Sequence, residues 1–276
     1  MLEAITAMFS YTFLTRALVV GLLISLCAAL LGVSLVLKRY AMIGDGLSHV
    51  GFGALALAAV MNWAPLVVAV PVVIIAAFFL LRISESRKLK GDSAIALIST
   101  SSLAIGVMAV SLTSGMNTDV NNYLFGSILA MSDADVVLSV GLSVVVLILF
   151  LLCYSRIFAV TFDESFARAT GIHTGAYNVL IAVLTAVTIV LGMRMMGALL
   201  ISALIIFPAL SAMRVCKSFK SVIILAACIS VFCFLVGLLV SYLFNTPTGA
   251  TVVIADLVVF LLCCVAGALR GVKRSA

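Results

Sequence analysis

Long apolar runs, each broken by a short cluster of charged or turn-forming residues, recur along the whole 276-residue chain. Their lengths match the roughly 20 residues that an α-helix needs to cross a bilayer. The pattern predicts spanning helices over 12–37, 43–62, 65–81, 93–113, 136–154, 177–195, 197–213, 221–243 and 250–270. Asn62-Trp63-Ala64-Pro65 reads as a tight turn with Pro65 at the first helical position and Trp63 at interface depth. Asn245-Thr246-Pro247-Thr248-Gly249 reads as another turn. Met116–Asp135 fits the pattern least well, and Tyr123–Met131 within it reads as a short re-entrant or interfacial helix.

Composition agrees with the pattern. Hydrophobic residues make up 65% of the chain and charged residues 9%, against about 45–50% and about 25% in soluble domains. This excludes a soluble enzyme, a disordered chain and a nucleic-acid-binding domain. A transmembrane barrel would need alternating segments of about ten residues, which do not occur. The expected fold is all-α: one polytopic transmembrane helical bundle of about eight or nine spans, occupying 1–276 as a single transmembrane domain. Basic residues cluster at Lys38-Arg39, Arg82 to Lys90, Arg156 to Arg168, Arg214 to Lys220 and Arg270 to Arg274, whereas the loops near Asn62, Asn117 and Thr246 carry none. By the positive-inside rule the basic loops are cytoplasmic, and nine spans then put the N-terminus outside. Met1 to Thr15 has no basic region before its apolar run and no A-x-A site, so no cleaved signal peptide is expected. Of the seven cysteines, six lie in or beside apolar runs, without metal-site spacing, and read as small hydrophobes.

Several chemistries are missing from the sequence. No Gly-Lys dipeptide exists for a P-loop, and HExxH and G-x-S-x-G are absent as well. The chain is not expected to be a catalyst, and no permanently bound cofactor is expected.

Polar groups inside spans cost about 2.5–3.5 kcal/mol or more on insertion scales and are functional candidates. The most informative segment is Gly44-Asp45-Gly46-Leu47-Ser48-His49-Val50-Gly51-Phe52-Gly53. Asp45 and His49 are one helical turn apart, on one face. A carboxylate and an imidazole suit a borderline divalent metal such as Zn²⁺, and serve Mn²⁺ or Fe²⁺ less selectively. Two ligands are too few for a closed structural site, and a transported ion needs that deficit in order to leave. The alternative is that Asp45 caps the helix and His49 bonds to Asp45 or to a carbonyl. Gly44, Gly46, Gly51 and Gly53 with Ala54, Ala56 and Ala58 leave one flank nearly free of side chain, which permits close helix approach. The span therefore belongs in a packed centre or along a pathway.

Other polar spots leave two readings each. Ser99 and Ser102, within Ser99-Thr100-Ser101-Ser102, can line a pore or belong to a run that bonds back to the preceding turn. Pro208 should kink its helix, which serves a gate or simply fits the bundle. Asp256 is either a pathway or gate carboxylate or a group near the outer interface. Arg194 is expected to snorkel at the outer boundary. Thr161 to Ile172 predicts a short amphipathic helix, N-capped by Thr161 or Asp163, with Glu164 in its first turn and Arg168 toward its end. Gly171 closes it. Phe162, Phe166 and Ala169 would be exposed on the cytoplasmic side, facing a partner or lying on the membrane.

These residues resemble the integral-membrane permeases of bacterial ABC importers for zinc, manganese and iron. The resemblance rests on Gly32–Lys38 followed by Met42-Ile43-Gly44-Asp45-Gly46-Leu47-Ser48-His49, on Asn122-Tyr123-Leu124-Phe125-Gly126-Ser127 and on Phe162-Asp163-Glu164-Ser165-Phe166-Ala167. It continues through Gly197-Ala198-Leu199-Leu200-Ile201-Ser202-Ala203-Leu204 with Pro208-Ala209, and through Pro247-Thr248-Gly249-Ala250-Thr251. Two departures stand out: Gly46 where the family more often has Ala, and Phe52-Gly53 where many members carry Pro-Gly. The resemblance implies a permease fold like that of the vitamin B12 importer, in the bacterial cytoplasmic membrane. It implies cytoplasmic ATP-binding subunits, an extracytoplasmic metal-binding protein and a second permease subunit, an identical copy by preference, with no nucleic-acid partner. Asp45 and His49 would then be metal pathway residues for Zn²⁺ by preference or Mn²⁺. Phe162, Asp163, Glu164, Phe166, Ala167 and Gly171 would belong to a coupling helix near 162–171, seated in the ATPase.

Overall fold

The computed structural model describes residues 12–84, 91–113 and 132–269. Among these the chain forms eleven helices and no strand: α1 (Thr12–Leu37), α2 (Ala41–Val60), α3 (Pro65–Ser84), α4 (Gly91–Thr113), α5 (Asp133–Leu152), α6 (Tyr154–Phe162), α7 (Glu164–Ala169), α8 (Thr174–Met196), α9 (Ala198–Val215), α10 (Phe219–Phe244) and α11 (Thr248–Leu269). Each of the nine predicted spans coincides with one of them. Eight are long and apolar enough to cross a membrane, and the ninth, α9, has only a shorter apolar stretch, Leu200–Val215. The expected helix over Tyr123–Met131 and the motif Asn122–Ser127 lie outside the described residues.

The turns follow the predicted chemistry. Asn62 adopts a left-handed φ of 54° and Asn245 one of 52°, a conformation that asparagine tolerates better than most residues. Pro65 opens α3, where its missing N–H removes nothing. Ser241 in the last turn of α10 donates to the Thr246 carbonyl at 2.6 Å and pairs with the Thr248 hydroxyl at 2.9 Å, closing the α10–α11 turn.

Burial separates an inner set of helices from an outer one. α1, α2 and α8 are mostly buried, whereas α4, α5 and α11 expose most of their apolar side chains, among them Leu97, Met108, Val137 and Leu262. A soluble protein could not carry that much exposed apolar surface, and a lipid solvent removes the cost. No described residue of α9 is exposed. Its 18 residues extend about 27 Å at the α-helical rise, short of the roughly 30 Å hydrocarbon core. It packs against α1, α2, α8, α10 and α11, and Leu200, Ile201, Leu204, Ile205, Ala209 and Ala212 are all buried. Backbone that does not reach a membrane face is tolerated when protein surrounds it.

The two ends of the bundle are stapled differently. At one end Arg16 of α1 is paired with Asp133, while Arg194 of α8 meets Asp135 at 3.2 Å. Arg194 therefore does not snorkel as expected: its side chain is 12% exposed and ion-paired across to α5. Asp135 also receives the Ser132 N–H in a capping box that starts α5. At the opposite end Lys38 of α1 bonds to Asn178 of α8, and Arg156 donates to the Tyr177 hydroxyl at 2.6 Å.

Candidate functional site

α2 positions the predicted pair. It begins at Ala41, after Tyr40, so Asp45 lies in the second turn and does not cap the helix. One turn on, His49 Nε2 faces Asp45 Oδ2 at 3.8 Å. That separation is too long for a hydrogen bond, so the pair is not explained as one hydrogen-bonding to the other. Two ligands of one ion, each about 2.0–2.2 Å from it, stand roughly 3.4 Å apart at a tetrahedral angle. A small rotamer change would bring the pair to that spacing. Asp45 keeps 44% of its side-chain surface accessible and His49 23%. With Met42 they form a partly open stripe at i, i+3 and i+7 on the first half of a helix otherwise buried there. His49 Nδ1 is buried without a hydrogen-bond partner, leaving Nε2 as the nitrogen that faces Asp45.

Glycines allow α2 to sit where it does. A Cβ on Gly53 would come within 2.7 Å of the Ser102 carbonyl oxygen, and one on Gly106 within 2.9 Å of the Gly53 Cα. The backbones of α2 and α4 thus nearly touch. On the other side of the helix Met193 of α8 reaches Gly51, where a Cβ would meet its terminal methyl at 2.6 Å, so the small residues line two sides of α2 and not the one flank expected. The close approach itself is the one that the run of small residues predicted.

Sequence reasoning missed Ser202 as a member of this site. Its hydroxyl donates to Asp45 Oδ1 at 3.2 Å from α9, 157 residues away. No spacing rule could have paired them. Among the described residues no third His, Cys, Asp or Glu joins Asp45 and His49.

The remaining candidates fall elsewhere. Ser102 lies at the α2–α4 crossing and Ser99 is buried one turn earlier. Between them, Thr100 bonds back to the Ala96 carbonyl at 2.7 Å. α9 continues as one helix through the buried Pro208. Asp256 is fully buried, its carboxyl beside the Cys233 thiol between α10 and α11.

The expected amphipathic helix is α7, and a second short helix, α6, that the sequence reading did not include runs up to it. Asp163, with an extended backbone, ends α6 and caps α7 by accepting the Phe166 N–H at 2.9 Å. The expected helix over 162–171 is thereby shortened to Glu164–Ala169, followed by Gly171 at φ +83°. Phe166 is 65% exposed and Phe162 58%. Phe162 closes α6, its ring 4.9 Å from Phe158 and 5.7 Å from Phe219 by centroid. Ala167 is buried and seats α7 on the bundle. Glu164 ties α7 inward, meeting Lys38 at 3.7 Å and Arg168 at 3.3 Å while accepting from Asn178 at 3.3 Å. Lys38 and Asn178 were also invisible as partners in the sequence, being 140 residues apart.

Comparison with known proteins agrees with this architecture. The family model "ABC 3 transport family" matches residues 10–267. The chain is 28% identical over 260 residues to the manganese import system permease protein ScaB of Streptococcus gordonii, covering 94% of this chain and 93% of that protein. It is 30% identical over 253 residues to the high-affinity zinc uptake system membrane protein ZnuB of Haemophilus influenzae, covering 91% and 97%. Among solved structures, PsaBC from Streptococcus pneumoniae in complex with Fab superposes with a TM-score of 0.85 at 29% identity, over 95% of this chain and 94% of that one. A metal-chelate type ABC transporter in an inward-facing conformation shares the fold at a TM-score of 0.76 and 14% identity, over 92% and 86%. With a family match across nearly its whole length and eight helices fit to cross a bilayer, the chain belongs to the ABC 3 transport family, as a multi-pass membrane permease.

Proposed function

We propose that this permease is the membrane subunit of an ATP-driven importer that carries divalent transition metal ions into the cytoplasm, Zn²⁺ by preference over Mn²⁺ or Fe²⁺. The observation that carries the reading is the facing carboxylate and imidazole on the open stripe of α2, 3.8 Å apart. Relatives named for manganese import and for zinc uptake support it. An ion held by two protein ligands plus water is held weakly enough to move on. One imidazole with one carboxylate favours a borderline ion, which is the ground for preferring zinc. ATP hydrolysis belongs to separate cytoplasmic subunits, an extracytoplasmic binding protein delivers the ion, and a second copy of the permease completes the conduit. Ser99, Ser102, Pro208 and Asp256 are assigned to the pathway or its gate.

The deciding measurement is uptake by the reconstituted complex with zinc, manganese and iron in competition. Zinc should suppress transport of the other two, and wild-type uptake should require ATP. ATP-independent uptake driven by a proton gradient would replace this reading with a secondary transporter.

In the same reading α7 is the coupling helix. Phe166 is the side chain offered to the ATPase, and Glu164 passes its displacement to α1 and α8 through Lys38 and Asn178. Glu164→Ala should therefore lower metal transported per ATP hydrolysed about 10-fold, since it leaves the largely buried Lys38 without its carboxylate. An unchanged ratio would reject the assignment.

A further inference from the structure

Asp45 has two carboxylate oxygens with different neighbours. Oδ2 faces His49 on the same helix, whereas Oδ1 receives the Ser202 hydroxyl from α9 at 3.2 Å. That hydroxyl has one proton and a competing acceptor, the Ala198 carbonyl of its own helix at 3.3 Å. Donation to an ionised carboxylate is the stronger of the two bonds. Ser202 stands in the second turn of α9, between the buried Leu200, Ile201, Leu204 and Ile205, so its Cα is held by the packing of its helix. A half-exposed carboxylate on a helix can exchange among several rotamers about its two side-chain bonds. A donor on a fixed neighbouring helix removes that freedom.

We infer that Ser202 is a positioning residue of the ion site: it holds Asp45 Oδ1 so that Oδ2 stays turned toward His49 Nε2. This rests on the reading of Asp45 and His49 as metal ligands. It also makes ion binding an event shared by α2 and α9, because the carboxylate that binds the ion is tied to both. A hydroxyl that merely bonds back within α9 would have no such effect.

The test is a titration of the purified permease–ATPase complex with Mn²⁺, in which paramagnetic resonance reads the free ion, and with Zn²⁺ as competitor. Ser202→Ala should weaken Mn²⁺ binding about 10-fold, the range for removing a group that orients a ligand. Ser202→Thr, which restores the hydroxyl, should bring the affinity back to within about 2-fold. If Asp45→Ala weakens binding while Ser202→Ala binds as the wild type does, the positioning role is overturned and the site stands. Equal losses in the Ala and Thr variants also overturn it, since the hydroxyl would not be the cause. If Asp45→Ala itself binds Mn²⁺ normally, the site reading falls and this inference with it.

Discussion

Metal uptake falls by more than about 100-fold in Asp45→Ala and in His49→Ala, while each variant still inserts, binds its ATPase and hydrolyses ATP at the basal rate. The size follows from the ligand count. Orienting groups alone are worth 10–100-fold in metal affinity, and here each change removes one of the two proposed ligands among the described residues. Both side chains are partly exposed, and neither is a packing element of the core, so the loss should be confined to transport. Asp45→Asn tests the charge separately: it keeps the shape and an acceptor oxygen but gives up the anion that a divalent cation requires. Radiometal uptake into proteoliposomes, with the ATPase assayed in parallel, reads all three variants. Normal uptake in Asp45→Ala and His49→Ala would remove the metal role.

The largest effect on stability is expected at Gly32. A Cβ placed there would stand 2.0 Å from the Ile205 carbonyl oxygen and 2.9 Å from its carbon. These are backbone atoms of the enclosed helix, which cannot rotate away. Gly32→Ala forces α1 and α9 apart and should cost about 3 kcal/mol, lowering the melting temperature in detergent by roughly 10 °C. Gly141 supplies the control, because nothing lies within 4 Å of a Cβ built there. Gly141→Ala should be neutral or stabilising by up to about 1 kcal/mol, as alanine suits a helix better than glycine. Fluorescence-detected size exclusion after a heat step separates the two. A Gly32→Ala protein as stable as the Gly141→Ala protein would contradict the α1–α9 packing.

The contrast between Gly32 and Gly141 also shows what a linear reading of the chain can reach. All nine apolar segments were legible, because hydropathy and turn residues act locally and lipid imposes one solution on each segment. The Asp45–His49 pair was legible for the same reason: one helical turn separates them. Ser202 on Asp45, Asn178 and Lys38 on Glu164, and Asp135 on Arg194 were not. Those partners lie 157, 14, 126 and 59 residues apart, and only packing brings them together. The break at Asp163 was half legible. Asp163 was one of the two capping residues expected, but α6 before it carried no turn or capping signal of its own and was not anticipated.

The ion pair between Asp135 and Arg194 bears on how the chain is made as well as on how it stands. A ribosome delivers α1 with Arg16 first, then α5 with Asp133 and Asp135, and α8 with Arg194 last. Asp133 finds Arg16 already installed when it leaves the insertion machinery, and Arg194 finds Asp135. On that order the arginine of α8 has a carboxylate to meet as it arrives, and an unpaired charge within a span is what insertion scales penalise.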